Sequence, residues 1–98
     1  MKEQIYQKRI TEQLEEKGYY VINLIKTNKN GIPDLIAIKE NCKTIFIECK
    51  SLTGVASPLQ KFRLKELSLK GFEVYISKGN ELIPFDVDFT APKDETPF

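Results

Sequence analysis

Asp34, Glu48 and Lys50 place charge at the ends of apolar, strand-like runs, where it is costly unless something compensates it. The stretch Gly31 to Lys50 reads G-I-P-D-L-I-A-I-K-E-N-C-K-T-I-F-I-E-C-K. Leu35 to Ile38 and Ile45 to Ile47 are apolar, and the polar segment Lys39 to Lys43 between them centres on Asn41, which predicts a hairpin. A turn near Asn41 pairs residues whose numbers sum to about 82, setting Asp34 opposite Glu48. Glu48 and Lys50, two apart, project from one face of a strand in any register. Two carboxylates and an ammonium then share one end of a small sheet. The carboxylates repel each other and resist desolvation, and a divalent cation or the nearby lysine can compensate them. Mg²⁺ or Mn²⁺ held by such hard oxygens can neutralise charge building on a phosphate and generate a hydroxide-like nucleophile near neutral pH.

The elements that must position these groups fit one domain. The chain has 98 residues, 41% apolar and 10% aromatic, enough for one modest core. It contains no histidine, which excludes histidine-activated nucleophiles and histidine-ligated metals and leaves carboxylates, lysine, hydroxyls or a hard cation to do any chemistry. Cys42 and Cys49 have no CxxC or histidine partner to suggest zinc. The absence of a long apolar run or a leader pattern predicts a soluble, cytoplasmic protein without a membrane role. The net charge of +1 hides an asymmetry: residues 86–98 carry −3, and residues 1–85 carry +4, which permits a phosphate-bearing partner.

From Lys2 to Lys17, Ile5, Tyr6, Ile10 and Leu14 recur at helical spacing before Gly18, predicting an amphipathic helix. Tyr19 to Ile25 reads as a strand and Thr27 to Gly31 as a polar loop. Ser57-Pro58 starts a second helix, with Leu59, Phe62, Leu67 and Leu64 as its buried stripe and Lys70-Gly71 as its end. Phe72, Val74 and Ile76 alternate with Glu73, Tyr75 and Ser77 as a strand, and Leu82 to Val87 offers a short edge strand broken by Pro84. The order αβββαβ, with a crossover long enough for parallel pairing, predicts an α/β fold: a small mixed sheet flanked by helices. The domain is expected over residues 1–90, with 91–98 an extended or disordered tail.

Pro33-Asp34 and Glu48-Cys49-Lys50, with 13 residues between the two acids, resemble the PD-(D/E)XK nuclease signature, whose restriction-endonuclease-like core has this element order. G-I-P-D-L, I-E-C-K and S-P-L-Q at Ser57 to Gln60, behind a helix opening with Glu3-Gln4-Ile5, are more narrowly similar to the virus-type replication-repair nuclease (VRR-NUC) family. The resemblance spans roughly Glu3 to Ser77 and implies a stand-alone phage or bacterial nuclease domain. It implies metal ligation by Asp34, Glu48 and the backbone carbonyl of Cys49, with Lys50 handling the attacking water or the phosphate. It further implies that Gln60 orients Lys50 or the water, and that Glu3 completes or supports the metal shell, with Glu12 as the alternative acid. No organic cofactor is expected.

The function so implied is a Mg²⁺- or Mn²⁺-dependent DNA endonuclease acting through metal-activated water. Ile83, Phe85, Val87 and Phe89 form an apolar stripe with no evident partner in the chain, so a homodimer is expected, suited to a two-fold-symmetric four-way DNA junction. Two rivals stand beside it: a flap, single-strand or RNA nuclease acting as a monomer, and a non-catalytic nucleic-acid-binding module. Residue by residue, the plain alternatives are a turn acid at Asp34, a surface ion pair at Glu48 and Lys50, and a solvated Gln60. Lys29, Lys61, Arg63 and Lys65 read as a solvated basic fringe, in which Lys61 and Lys65 could touch DNA backbone.

Overall fold

The computed structural model describes residues 3–85. Along the chain run α1 (Glu3–Glu16), β1 (Tyr20–Asn23), β2 (Leu35–Ile38), β3 (Ile45–Lys50), α2 (Pro58–Leu69), β4 (Glu73–Lys78) and β5 (Glu81–Pro84). The expected α/β order is present, with the last strand formed. The expected tail, 91–98, and Val87 and Phe89 of the expected apolar stripe lie outside the described residues.

One five-stranded sheet has the order β1-β2-β3-β4-β5. The β1–β2, β2–β3 and β4–β5 pairs are antiparallel, while β3 and β4 run parallel, joined by α2 as the crossover. Within the hairpin, Leu35 pairs with Ile47, Ile36 with Phe46 and Ala37 with Ile45, the register expected from the sequence. The reversal is made near Asn41, whose φ of 61° is a left-handed conformation that asparagine tolerates well.

Paired residues share a face, so the sheet has two distinct sides. Leu35, Ala37, Ile45, Ile47 and Cys49 face α1 and form the core with Ile10 and Leu14. Each large aliphatic buried there contributes about 1.5–3 kcal/mol. Ile36, Phe46, Glu48, Lys50 and Val74 occupy the α2 side, where Phe46 and Phe72 meet edge to face at 5.3 Å between centroids. As the central strand, β3 is covered on both faces, which is why Glu48 and Lys50 are buried alongside Ile47 and Cys49.

The structure revises the expected buried stripes. On α1, Tyr6, Ile10 and Leu14 are buried at four-residue steps, and Ile5, about 100° round the helix from Tyr6, is exposed. On α2 only Leu64 is fully buried, whereas Leu59 and Phe62 are exposed and Leu67 is half-buried. The reason is position: within the sheet α2 packs mainly on β3 and β4, so a single narrow line of its surface meets the strands. The first strand is also shorter than Tyr19 to Ile25, ending at Asn23, after which Leu24 N–H donates to the Asp34 carbonyl at 2.8 Å.

Candidate active site

Asp34 immediately precedes β2, behind the buried Pro33, and its carboxylate turns onto the neighbouring strand. Its Oδ2 accepts the Cys49 N–H at 2.8 Å. The physical cause is that β2 pairing stops at Leu35, so the amide of Cys49 on β3 has no strand partner at that level and takes a side-chain acceptor instead. Backbone groups of successive strand residues point to alternate sides. Gly79 N–H reaches the Lys50 carbonyl at 3.1 Å from the β4 side, so the Cys49 carbonyl is directed to the opposite, Asp34 side.

Glu48 is 2% exposed. Its Oε2 lies 3.3 Å from Lys50 Nζ and accepts from Gln60 Nε2 at 3.1 Å, while its Oε1 is buried with no hydrogen-bond partner. Burial, and then the charge of Asp34, push its carboxyl from an ordinary 4.5 up to about 8, against the opposing pull of Lys50. Lys50 is itself buried, at 8% exposure. These are the geometry and the electrostatics of carboxylates crowded together without enough positive charge nearby.

Gln60 is brought to Glu48 by the start of α2. Ser57 caps the helix, its hydroxyl accepting from Gln60 N–H, and Gln60 Oε1 accepts from Ser57 N–H at 2.8 Å in return. With its oxygen so engaged, the amide can only present its NH₂ to Glu48.

Glu3 sits in the first turn of α1. One of its carboxylate oxygens lies 3.4 Å from where a Cβ would stand on Gly54, beside Lys50 and Ser51, and its charge contributes to raising the Cys49 thiol. Glu12, the alternative acid, lines a separate groove with Gln7, Thr11 and Asn23. Cys49 is buried and its thiol is pushed up to about 12, first by burial. The side chain therefore has no acid–base part at neutral pH, and it is the Cys49 backbone that meets Asp34.

The residues present suit a hard cation. Among the described residues no three histidine, cysteine or acidic side chains converge as a metal cluster, so side-chain ligation of a cation would rest on the Asp34 and Glu48 pair. The Oε1 of Glu48, buried without a hydrogen-bond partner, is a hard oxygen of the kind that Mg²⁺ or Mn²⁺ satisfies once the carboxyl gives up its proton.

A model of the VRR-NUC domain family matches residues 1–81. The chain belongs to the VRR-NUC family. No curated protein matches it. The VRR-NUC domain is a nuclease domain, so the chain is a nuclease with a nucleic-acid substrate. No helix among the described residues is long and apolar enough to cross a membrane.

Two features of this VRR-NUC site were not apparent from the sequence. Arg63 is not part of a solvated fringe: its Nε donates to the Asn30 carbonyl at 2.8 Å and its Nη1 bonds Glu66 Oε1 at 2.8 Å, tying α2 to the β1–β2 loop. Lys29, also read as fringe, lines with Lys26 a cleft that reaches Asp34. The T-N-K-N-G stretch before Ile32-Pro33-Asp34 was the available signal, since a lysine-bearing loop there leads directly into a candidate site acid.

Proposed function

We propose that this VRR-NUC protein is a divalent-metal-dependent DNA endonuclease of the PD-(D/E)XK type that incises four-way junctions as a homodimer. The observation that carries the reading is the buried Glu48 carboxylate, bracketed by Asp34, Lys50 and Gln60 and left with one unpartnered oxygen. Asp34, Glu48 and the Cys49 carbonyl would hold Mg²⁺ or Mn²⁺, which supplies charge neutralisation at the phosphate and an acidified water. Gln60 fixes the rotamer of Glu48 through its amide. Lys50, at 3.3 Å from Glu48, offsets the carboxylate pair and offers its ammonium to the attacking water or the scissile phosphate. Glu3 supports the site from the Gly54 turn.

Exposed apolar groups support the dimer. Ile83 on the edge strand β5 is 41% exposed, and Tyr20 and Ile22 on the other edge are 71% and 40% exposed. Two sites related by a two-fold axis would cut opposed strands of a symmetric junction. The test is incubation with Mg²⁺ or Mn²⁺ and a panel of four-way junction, flap, duplex and single-stranded DNA and RNA, beside Lys50→Ala, with sedimentation of the free protein. Paired incisions of the junction by a dimer are expected. Cutting of flaps or RNA by a monomer overturns the junction reading, and no cutting of any substrate overturns the enzyme.

A further inference from the structure

The β1–β2 loop holds an isoleucine almost wholly in water. Ile25 is 92% exposed, between the half-buried Leu24 and the exposed Lys26. It lines, with Leu24, Lys26, Lys29 and Asn30, a cleft of about 460 Å³ that ends at Asp34. From Leu24 to Pro33 the loop contains two lysines and no acid.

The exposure is built into the fold. Leu24 N–H is tied to the Asp34 carbonyl at 2.8 Å, Thr27 Oγ1 donates to the Lys29 carbonyl at 2.7 Å, and Arg63 holds the Asn30 carbonyl. At the far end Leu59 of α2 packs on Gly31, where φ is +78° and a Cβ would come within 2.7 Å of Leu59 Cγ. A loop fastened at three points and braced by one internal hydrogen bond presents Ile25 in a defined place beside the site acid, so little ordering is left for binding to supply.

We propose that this loop is the distortion-reading element of the nuclease. Ile25 enters the base stack next to the scissile phosphate, and Lys26 and Lys29 hold phosphates beside it. The inference rests on the nuclease reading and adds the manner of substrate selection. An apolar wedge between bases unstacks the step, which costs least where the stack is already broken, as at a branch point. Lysines on phosphates fix register without reading sequence. The two lysines of the same cleft and its continuity with Asp34 favour a nucleic-acid occupant of this apolar tip over a protein one.

The experiment uses the full chain and DNA carrying 2-aminopurine beside the branch point of four-way and flap substrates, with plain duplex as control. Without divalent metal, binding of the unmodified protein raises the fluorescence on branched DNA. Ile25→Ala abolishes the rise and Ile25→Leu restores it. With Mg²⁺, Ile25→Ala slows cutting on the order of 10-fold, and a mismatch flanking the branch point removes most of that deficit. Lys26→Ala with Lys29→Ala lowers the slope of log affinity against log salt by about 2. No rise with the unmodified protein, or an equal rise with Ile25→Ala, overturns the wedge. Cutting that is indifferent to Ile25 overturns it and leaves the nuclease standing, whereas an Ile25-dependent rise without cutting keeps the wedge and removes the nuclease reading.

Discussion

Gln60 uses both ends of one side-chain amide: Oε1 accepts the Ser57 N–H at 2.8 Å and Nε2 donates to Glu48 Oε2 at 3.1 Å. The start of α2 and the orientation of the buried acid are thereby one structural fact. Gln60→Glu keeps the acceptor for Ser57 but sets a carboxylate against Glu48, so cleavage should fall at least about 10-fold with the α2 cap retained. Gln60→Ala should lose both, with roughly 1 kcal/mol of stability gone. Equal cleavage by Gln60→Glu would remove the orienting role.

Glu48 makes the metal-free protein sensitive to pH. Its carboxyl, raised to about 8 chiefly by burial, is protonated in the fold between pH 4.5 and 8, while the unfolded chain releases the proton near 4.5. The folded state thus binds more protons across that window, and stability must fall as pH rises through it. At about 1.4 kcal/mol per pKa unit the loss amounts to a few kcal/mol. Thermal unfolding in chelator should show a lower melting temperature at pH 8.5 than at pH 6. Glu48→Gln should flatten that dependence, Mg²⁺ should restore stability at high pH, and Mg²⁺ binding near pH 6–7, where the carboxyl is protonated, should release a proton.

Lys50 is predicted to carry activity more than stability. Lys50→Ala removes the only cation paired with Glu48 among the ion pairs of the described residues, and the acid can remain protonated in response. Cleavage should fall by about 10²-fold or more with the fold retained by circular dichroism. Lys50→Arg, too large and planar for the buried place, should not rescue it.

Gly31→Ala tests the seat of the β1–β2 loop. The new Cβ meets Leu59 at 2.7 Å in a backbone conformation with φ at +78°. The expected cost is roughly 2 kcal/mol, or about 10 °C in melting temperature for a domain of this size. A combined Leu59→Ala change, which opens the space, should return part of the loss.

The two cysteines should separate cleanly. Cys42 is exposed, whereas Cys49 is buried with its thiol raised to about 12. Iodoacetamide should add once per native chain and twice per unfolded chain by mass spectrometry. Cys49→Ala should leave cleavage within a few-fold, because only the backbone of that residue serves the site.

Much of the fold was legible because local rules acted alone. Ser57-Pro58 with Gln60 spelled the start of α2, and Asn41 placed the hairpin turn, which set the β2–β3 register and brought Asp34 to the level of Glu48. Where burial depended on a distant partner, the sequence misled. The α2 stripe of Leu59, Phe62 and Leu67 has good helical spacing, yet only Leu64 is fully buried, since the angle at which the helix crosses β3 and β4 decides which line is covered. Arg63 likewise looked solvated until the fold brought Asn30 beneath it.

The sequence alone determined the chemistry available to this protein: two carboxylates and a lysine at fixed strand positions, no histidine, and a capped helix carrying Gln60. Residue type and spacing along one strand or one helical turn are local properties, so they survive without knowledge of packing. Only the tertiary structure decided that Glu48 is buried with an unpartnered oxygen, that Glu3 rather than Glu12 stands by the Gly54 turn, and that Ile25 is held out in water beside Asp34. Desolvation and exposure are set by every element packed around a group, and that sum is written nowhere along the chain.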